Sequence, residues 1–275
     1  MLPMKILEFI NIINDIFPTA LQEKYDNTGE QILFPQEDIT GVFFSLDVDE
    51  ITIKEALEKN CNLIISHHPL FFKPLSRIHS EEPRSSIIIQ CISNRISLFA
   101  IHTNLDKIFH NKLAEKLGFV SRQILFPERK LDEGNDVGFG SVVELENNVS
   151  LQDLLRHIKA TLNLEYLIYT GDITCSISRI AILNGAGGGS IEKILESHDI
   201  DCIITGDVNY HNAKYGQDHG ISIVDAGHFG TEKILLEFLM RTIDECLTNI
   251  PQGKEFRLIK SVNERNPFKV YPDII

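Results

Sequence analysis

The sequence predicts an α/β fold built from two similar α/β lobes. Three observations carry this prediction. Short β-branched runs alternate with stretches of helical periodicity, the pattern of βαβ units and a mainly parallel sheet. The same strand–helix–strand pattern occurs twice along the 275 residues. Histidines and carboxylates stand just beyond the expected strands, where open α/β sheets bind their ligands.

The N-terminal run MLPMKILEFINIINDIF has apolar residues at helical spacing, interrupted by Glu8, Asn11, Asn14 and Asp15. It lacks the continuous apolar stretch and small-residue cleavage site of a signal peptide. Residues 42–46 (VFFSL) read as a buried strand and 51–59 (ITIKEALEK) as a helix. A second strand is expected at 62–66 (NLIIS), a helix at 84–92 and a third strand at 97–101 (SLFAI). The Gly- and acid-rich run LDEGNDVGFG at 131–140 reads as a loop leading into a strand at 138–145. LQDLLRHIKATLNL at 151–164 reads as an amphipathic helix opened by Ser150, with Asp153 in the capping-box position.

The pattern then recurs: strand 180–183 (IAIL), helix 190–197 (SIEKILES), strand 201–205 (DCIIT), strand 221–225 (ISIVD) and a long helix over 231–247. Residues 42–57 lie over 180–195, matching Ile53 with Ile191 and Leu57 with Leu195. After one extra loop residue, Ile64-Ile65-Ser66 lies over Ile203-Ile204-Thr205. Two readings follow. Any two βαβ units share such a pattern, or the chain holds two similar lobes with a cleft between them. The second reading places the lobes at about 1–125 and 126–275.

Composition narrows the function. The chain of 31.2 kDa is 43% hydrophobic and 24% charged, enough to bury a sizeable core. Its net charge of −13 repels phosphate backbones, which argues against nucleic acid as a partner. The 5 cysteines are widely spaced without a C-x-x-C, so neither a disulfide framework nor a thiolate zinc site is expected. A reducing cytoplasm is the expected location. No run of 18 apolar residues occurs, so no membrane span is expected.

The 10 histidines are unevenly placed. Strand 62–66 ends in Ser66-His67-His68, and strand 97–101 in His102-Thr103-Asn104-Leu105-Asp106. Strand 201–205 ends in Gly206-Asp207, with His211 beyond, and strand 221–225 leads to His228 and Glu232. His228 and Glu232, four apart at a helix start, share one helix face. The set His67, His68, His228, Asp106 and Glu232 exceeds the three protein ligands usual for one open zinc site. It suits two divalent ions, and imidazole with carboxylate suits zinc, iron, manganese or nickel rather than calcium. Bland readings stand beside these: a surface His-His pair, Glu232 countering a helix dipole, and Asp106 as a helix N-cap. His102, His211 and Asp207 are the candidates for orienting ligands or moving protons. His79, His110, His157, His198 and His219 read as ordinary solvated histidines. The run GAGGGS at 185–190 reads either as an anion cradle or as a tight turn; it fits neither the dinucleotide fingerprint nor a P-loop.

These motifs in this order resemble a known family. YDNTG at 25–29, SLDVDE, IISHHPLFF, AIHTNLD, the glycine run, TGDVNYH, DAGHFGTEK and the Asn266-Pro267-Phe268 end are similar to the Nif-three-like dinuclear metal-binding family. Its bacterial members are called type-two GTP cyclohydrolase I homologues. The resemblance implies a two-lobed α/β fold with two divalent ions in a metal-binding cleft. By that pattern His68 and Asp106 hold one ion, His67 and His228 hold the other, and Glu232 bridges. It also implies a toroidal homohexamer, and a short form without the domain that some members insert between Asp106 and His228. Thr28 and Glu30 stand where the family pattern has apolar residues. The expected chemistry is metal-dependent hydrolysis of a small anionic substrate, either GTP cyclohydrolase-like on a nucleotide or phosphoesterase-like. The alternative is a non-enzymatic metal-binding regulator, metallochaperone or adaptor.

Overall fold

Residues 3–128, 136–248, 250 and 256–271 are described in a computed structural model of the chain. The first half of the loop expected at 131–140 lies outside them. The chain divides into two units: Met1–Leu105 with Leu236–Arg265, and Asp106–Leu235 with Asn266–Ile275.

In chain order the first elements are α1 (Ile6–Ile16), β1 (Gly29–Ile32), β2 (Gly41–Ser45), α2 (Glu50–Glu58), β3 (Leu63–Ser66), α3 (Pro83–Ser93), β4 (Ser97–Ala100) and α4 (Thr103–Ile108). There follow α5 (Lys112–Lys116), β5 (Ser121–Pro127), β6 (Gly138–Ser150), α6 (Leu151–Thr161), β7 (Ile168–Thr170), β8 (Ser176–Ile182) and α7 (Ile191–Ser197). The last are β9 (Cys202–Thr205), α8 (Tyr210–Asp218), β10 (Ser222–Asp225), α9 (His228–Glu232), α10 (Leu235–Leu247) and β11 (Arg257–Lys260).

Local signals open the helices, and the one at Ser150 acts as expected. Asp49 accepts a hydrogen bond from Thr52 N and opens α2, while Pro83 stands in the first turn of α3. Ser150 Oγ accepts from Asp153 N at 3.1 Å and opens α6. The single helix expected over 231–247 is instead two helices, α9 and α10. The turn between them falls where the chain leaves the second unit for the first.

In the first unit the strand order is β1-β4-β3-β2-β11. All neighbours are parallel except the edge strand β1, which runs antiparallel to β4. Phe43 and Phe44 are consecutive on β2, point to opposite faces, and are both fully buried. Both faces of this sheet are therefore covered, as parallel sheets require. Each such burial is worth about 1.5–3 kcal/mol. The core combines Phe43, Ile53, Ile64, Ile87, Cys91 and Leu98.

In the second unit the order is β5-β6-β8-β9-β10-β7. Only β8, β9 and β10 are mutually parallel; β5, β6 and β7 run antiparallel to their neighbours. This sheet is thus mixed rather than mainly parallel. Its core includes Val142, Ala181, Ile191, Ile194, Ile203 and Ile223.

The recurrence seen in the sequence is a recurrence of topology. The order β1-β4-β3-β2 in one sheet matches β7-β10-β9-β8 in the other, with the antiparallel edge strand in the same place. Registers agree as well. Val42 pairs with Leu63 where Ile180 pairs with Cys202, and Leu63 pairs with Ser97 where Cys202 pairs with Ser222. The first of these correspondences is the one that the sequence alignment superimposes; the second extends it.

Candidate metal centre

In the first unit, Ser66 at the end of β3 lies beside Ala100 at the end of β4. The residues just beyond these ends, His67, His68 and His102, come together. One ring nitrogen of each lies within 4.8 Å of the others. The ring centroids are 5.1 to 5.6 Å apart. His67 is fully buried.

Each imidazole is held through Nδ1. His67 Nδ1 is 2.9 Å from Ile101 O, His68 Nδ1 is 2.8 Å from Asp47 Oδ1, and His102 Nδ1 is 2.8 Å from Asp26 Oδ1. All three partners are acceptors, so Nδ1 carries the proton and the neutral ring keeps its lone pair on Nε2. That is the arrangement of metal-ligating histidines, whose second nitrogen donates to a carboxylate or carbonyl. Burial opposes ionisation of Asp26. Hydrogen bonds from His102 and Thr103 outweigh it and hold the carboxyl at about 2.

The loop carrying Asp26 is tied down. Thr28 is buried: its Oγ1 accepts from His102 N at 2.9 Å and donates to Asn104 Oδ1 at 3.0 Å. Asn104 Nδ2 in turn donates to Phe17 O at 2.9 Å. The departure from the family pattern at Thr28 therefore serves an internal hydrogen-bond chain.

In the second unit, α9 places His228 and Glu232 on one face, with Nε2 and Oε2 2.9 Å apart. His228 Nδ1 is 2.8 Å from Asp207 Oδ2. The hydrogen bond to Glu232, helped by Asp207, outweighs burial and raises His228 to about 9. A proton therefore sits between Nε2 and Glu232 at neutral pH, in the place where a cation between two ligands would sit. Asp207 itself has a left-handed backbone, φ 56°, unusual for a non-glycine residue and common at functional sites. Asp106 lies inside α4 rather than at its N-cap, and its Oδ1 accepts from Asn184 Nδ2 at 2.8 Å.

The glycine run serves close approach. A Cβ on Gly185, whose φ is +61°, would come within 1.9 Å of Glu232 Oε1, and one on Gly188 within 2.3 Å of Asp207 O. Gly185 N donates to Thr231 Oγ1 at 2.9 Å. The loop thus seats the carboxylate side chain of Glu232 and the backbone of Asp207, which is the tight-turn reading.

The donor set fits divalent zinc, iron or manganese: carboxylate-tethered imidazoles and buried carboxylates, with no thiolate. Cys61 and Cys91 are buried, and desolvation pushes their thiols up to about 11 and about 12. His211 stands exposed on α8 against the Tyr210 ring, 5.5 Å between centroids. No hydrogen bond among the described residues ties it to Asp207, His228 or Glu232. His79, His157 and His219 are exposed, and His110 and His198 are half-buried.

Sequence reasoning missed Asp26, Asp47 and Asn184. Asp47 was within reach, because it stands two residues beyond β2 as His68 stands two beyond β3. Asp207 stands two residues beyond β9 in the same manner, and His228 three beyond β10. Asn184 stands two residues beyond β8 in the same way, whereas Asp26 follows no strand-end rule and acts through long-range pairing.

Residues 4–267 match the family model described as Duf34/NIF3 (NGG1p interacting factor 3). The chain is 34% identical over 269 residues to the GTP cyclohydrolase 1 type 2 homolog of Clostridium acetobutylicum, covering 97% of this chain and 98% of that one. It is 35% identical over 272 residues to the homolog of the same name from Clostridium perfringens, covering 97% and 99%. Its fold is similar to the crystal structure of a Bacillus cereus protein related to NIF3, with a TM-score of 0.91, 21% identity, and coverage of 98% and 100%.

Proposed function

The chain belongs to the Duf34/NIF3 family, and from that premise we propose that it is a dinuclear metal-dependent hydrolase acting on a small anionic substrate, a nucleotide or phosphoester. His67, His68, Asp106, His228 and Glu232 would hold two divalent ions. The observation that carries the reading is the shared tethering of His68, His102 and His228, each through Nδ1 to an aspartate. Such tethering orients a ligand and raises its basicity, whereas a solvated histidine has no use for it. The name shared with the clostridial relatives supports GTP cyclohydrolase-like chemistry.

When bound, two such ions acidify a water and polarise the substrate's electrophile. The protein's own residues do the rest. Asp47 and Asp207 fix the tautomers of His68 and His228. The His102–Asp26 pair is built to accept a proton, since Asp26 stays ionised and stabilises the imidazolium that forms. Asp207 is a positioning residue in this scheme, and His211, exposed four residues along the chain, is the candidate to carry protons to solvent. Two added +2 charges also let a chain of net charge −13 receive an anion.

The test is metal analysis with turnover. Loaded protein should carry about two ions per chain and hydrolyse GTP or a member of a phosphoester panel, and Glu232→Ala should abolish turnover. Metal content far below that, or binding unchanged by His68→Ala, overturns the reading. Stoichiometric metal with no turnover on the whole panel favours a regulator or metallochaperone.

A further inference from the structure

We propose that Phe72 and Tyr25 form a stacking subsite for a planar aromatic ring beside the His67–His68–His102 cluster. The inference rests on the hydrolase reading above and names the substrate class: a molecule whose reacting bond lies in or next to a flat ring.

The observation is a continuous array of rings. Tyr25 and Phe72 lie 6.3 Å apart at 43°, and Phe72 meets His102 edge to face at 6.2 Å and 81°. His102 then touches His67 and His68. The two outer rings are 64% and 43% exposed. Two exposed aromatic rings side by side at the edge of an imidazole cluster offer a face on which a planar ligand can stack.

The exposure is built into the loops. Asn27 Nδ2 donates to Phe71 O at 2.5 Å, and Phe71 N donates to Gln31 Oε1 at 3.0 Å. Gln31 Nε2 donates to Asn27 O at 2.8 Å, which closes the frame. Asp26, between Tyr25 and Asn27, accepts from Asn27 N at 2.7 Å and is paired with His102. Asp26, Asn27 and Phe71, the chain neighbours of Tyr25 and Phe72, are thus fastened, and the two rings stand exposed. The loop that orients His102 is also the loop that presents Tyr25.

The geometry selects the ligand. A ring stacked on Phe72 at the usual spacing of about 4.5–7 Å lies one ring beyond the imidazole cluster. Groups attached directly to that ring reach the cluster, whereas the far end of a triphosphate chain does not. A purine would therefore present its base to the site.

The probes are guanosine 5′-monophosphate and ribose 5-phosphate, which differ by the base alone. Calorimetric titration uses the metal-loaded full chain, with metal content measured in parallel. The monophosphate is expected to bind at least about tenfold tighter. Phe72→Ala should bring the two ligands to within about twofold of each other, with ribose 5-phosphate affinity and metal content unchanged; Phe72→Tyr should restore the preference. The inference is overturned by equal affinities in the native chain or by undetectable binding of both. It is equally overturned by a preference that survives Phe72→Ala with Tyr25→Ala. A fall in oligomer size on sedimentation of Phe72→Ala also overturns it, since the rings would then be a contact between copies. Failure to take up metal sinks the hydrolase reading instead, and the same titration on metal-free protein still decides the subsite.

Discussion

At the residue scale, metal binding at His228 would be coupled to protons. Its folded pKa of about 9 lies above the ordinary 6.5, so the free protein carries an imidazolium there at neutral pH. Ligation requires the neutral ring. Metal uptake at pH 7.5 should therefore expel a proton from this site, and the release should vanish as pH passes about 9. Calorimetry in buffers of different ionisation heat measures it directly. The same shift sets a stability trend in metal-free protein. A raised pKa stabilises below the unfolded value, and that stabilisation is lost as pH climbs through about 9. Melting temperatures of the metal-free chain should fall across that window, and Asp207→Ala should flatten the fall. Asp47 offers a cleaner test of tethering. It is 61% exposed, so Asp47→Ala should leave the fold intact while weakening metal binding by about 10–100-fold. The gathering of histidines was legible in the sequence because imidazoles beyond strand ends have few bland explanations in combination. Of the aspartates behind them, Asp207 was legible at a strand end and Asp47 obeys the same rule, whereas Asp26 carries no spacing signal.

At the element scale, the segment after β11 is a strap. Glu55 on α2 is buried, and it accepts from Ser261 Oγ at 3.0 Å, Val262 N at 3.1 Å and Asn263 N at 3.3 Å. Removing it leaves three donors without their acceptor, so Glu55→Ala should cost about 2–4 kcal/mol in denaturant unfolding. Next along the strap, Glu264 Oε1 accepts from Leu46 N at 2.8 Å and Asp47 N at 3.0 Å. Burial outweighs those bonds and, with Asp47 and Asp49 nearby, raises its carboxyl to about 7. A carboxylate raised in the folded state destabilises once pH exceeds its unfolded value of 4.5, and the penalty is complete above about 7. Glu264→Gln should therefore gain on the native chain between those pH values and match it at pH 4. Paired melts across the range would show parallel curves if the carboxyl titrates normally. The strands and the helix signals at Asp49, Pro83 and Ser150 could be read locally. The break between α9 and α10 could not, because it marks where the chain changes unit, and periodicity continues smoothly across it.

At the scale of the whole molecule, one topology occurs twice and carries different chemistry at equivalent strand ends. β3 ends in two histidines, while its counterpart β9 ends in Gly206-Asp207. The repeat was visible because core strands keep their apolar pattern, and the shared register shows that the alignment was structural. The extra strands were not visible, since β11 pairs with β2 across most of the chain length. Metal loading should raise the melting temperature, because a ligand bound only by the folded state at 100 times its dissociation constant adds about 2.7 kcal/mol. Chelation that leaves melting unchanged would speak against any folded-state metal. The late arrival of β11 also sets an order of events during synthesis. The six strands of the second sheet are all available once Asp225 has been made. At that moment β2, with Val42, Phe43 and Phe44, still lacks its neighbour along one side. An incomplete nascent chain therefore presents an open, apolar strand edge, the kind that pairs with other chains. Ribosomes that stall before residue 257 should release aggregation-prone products, although the second sheet is already finished.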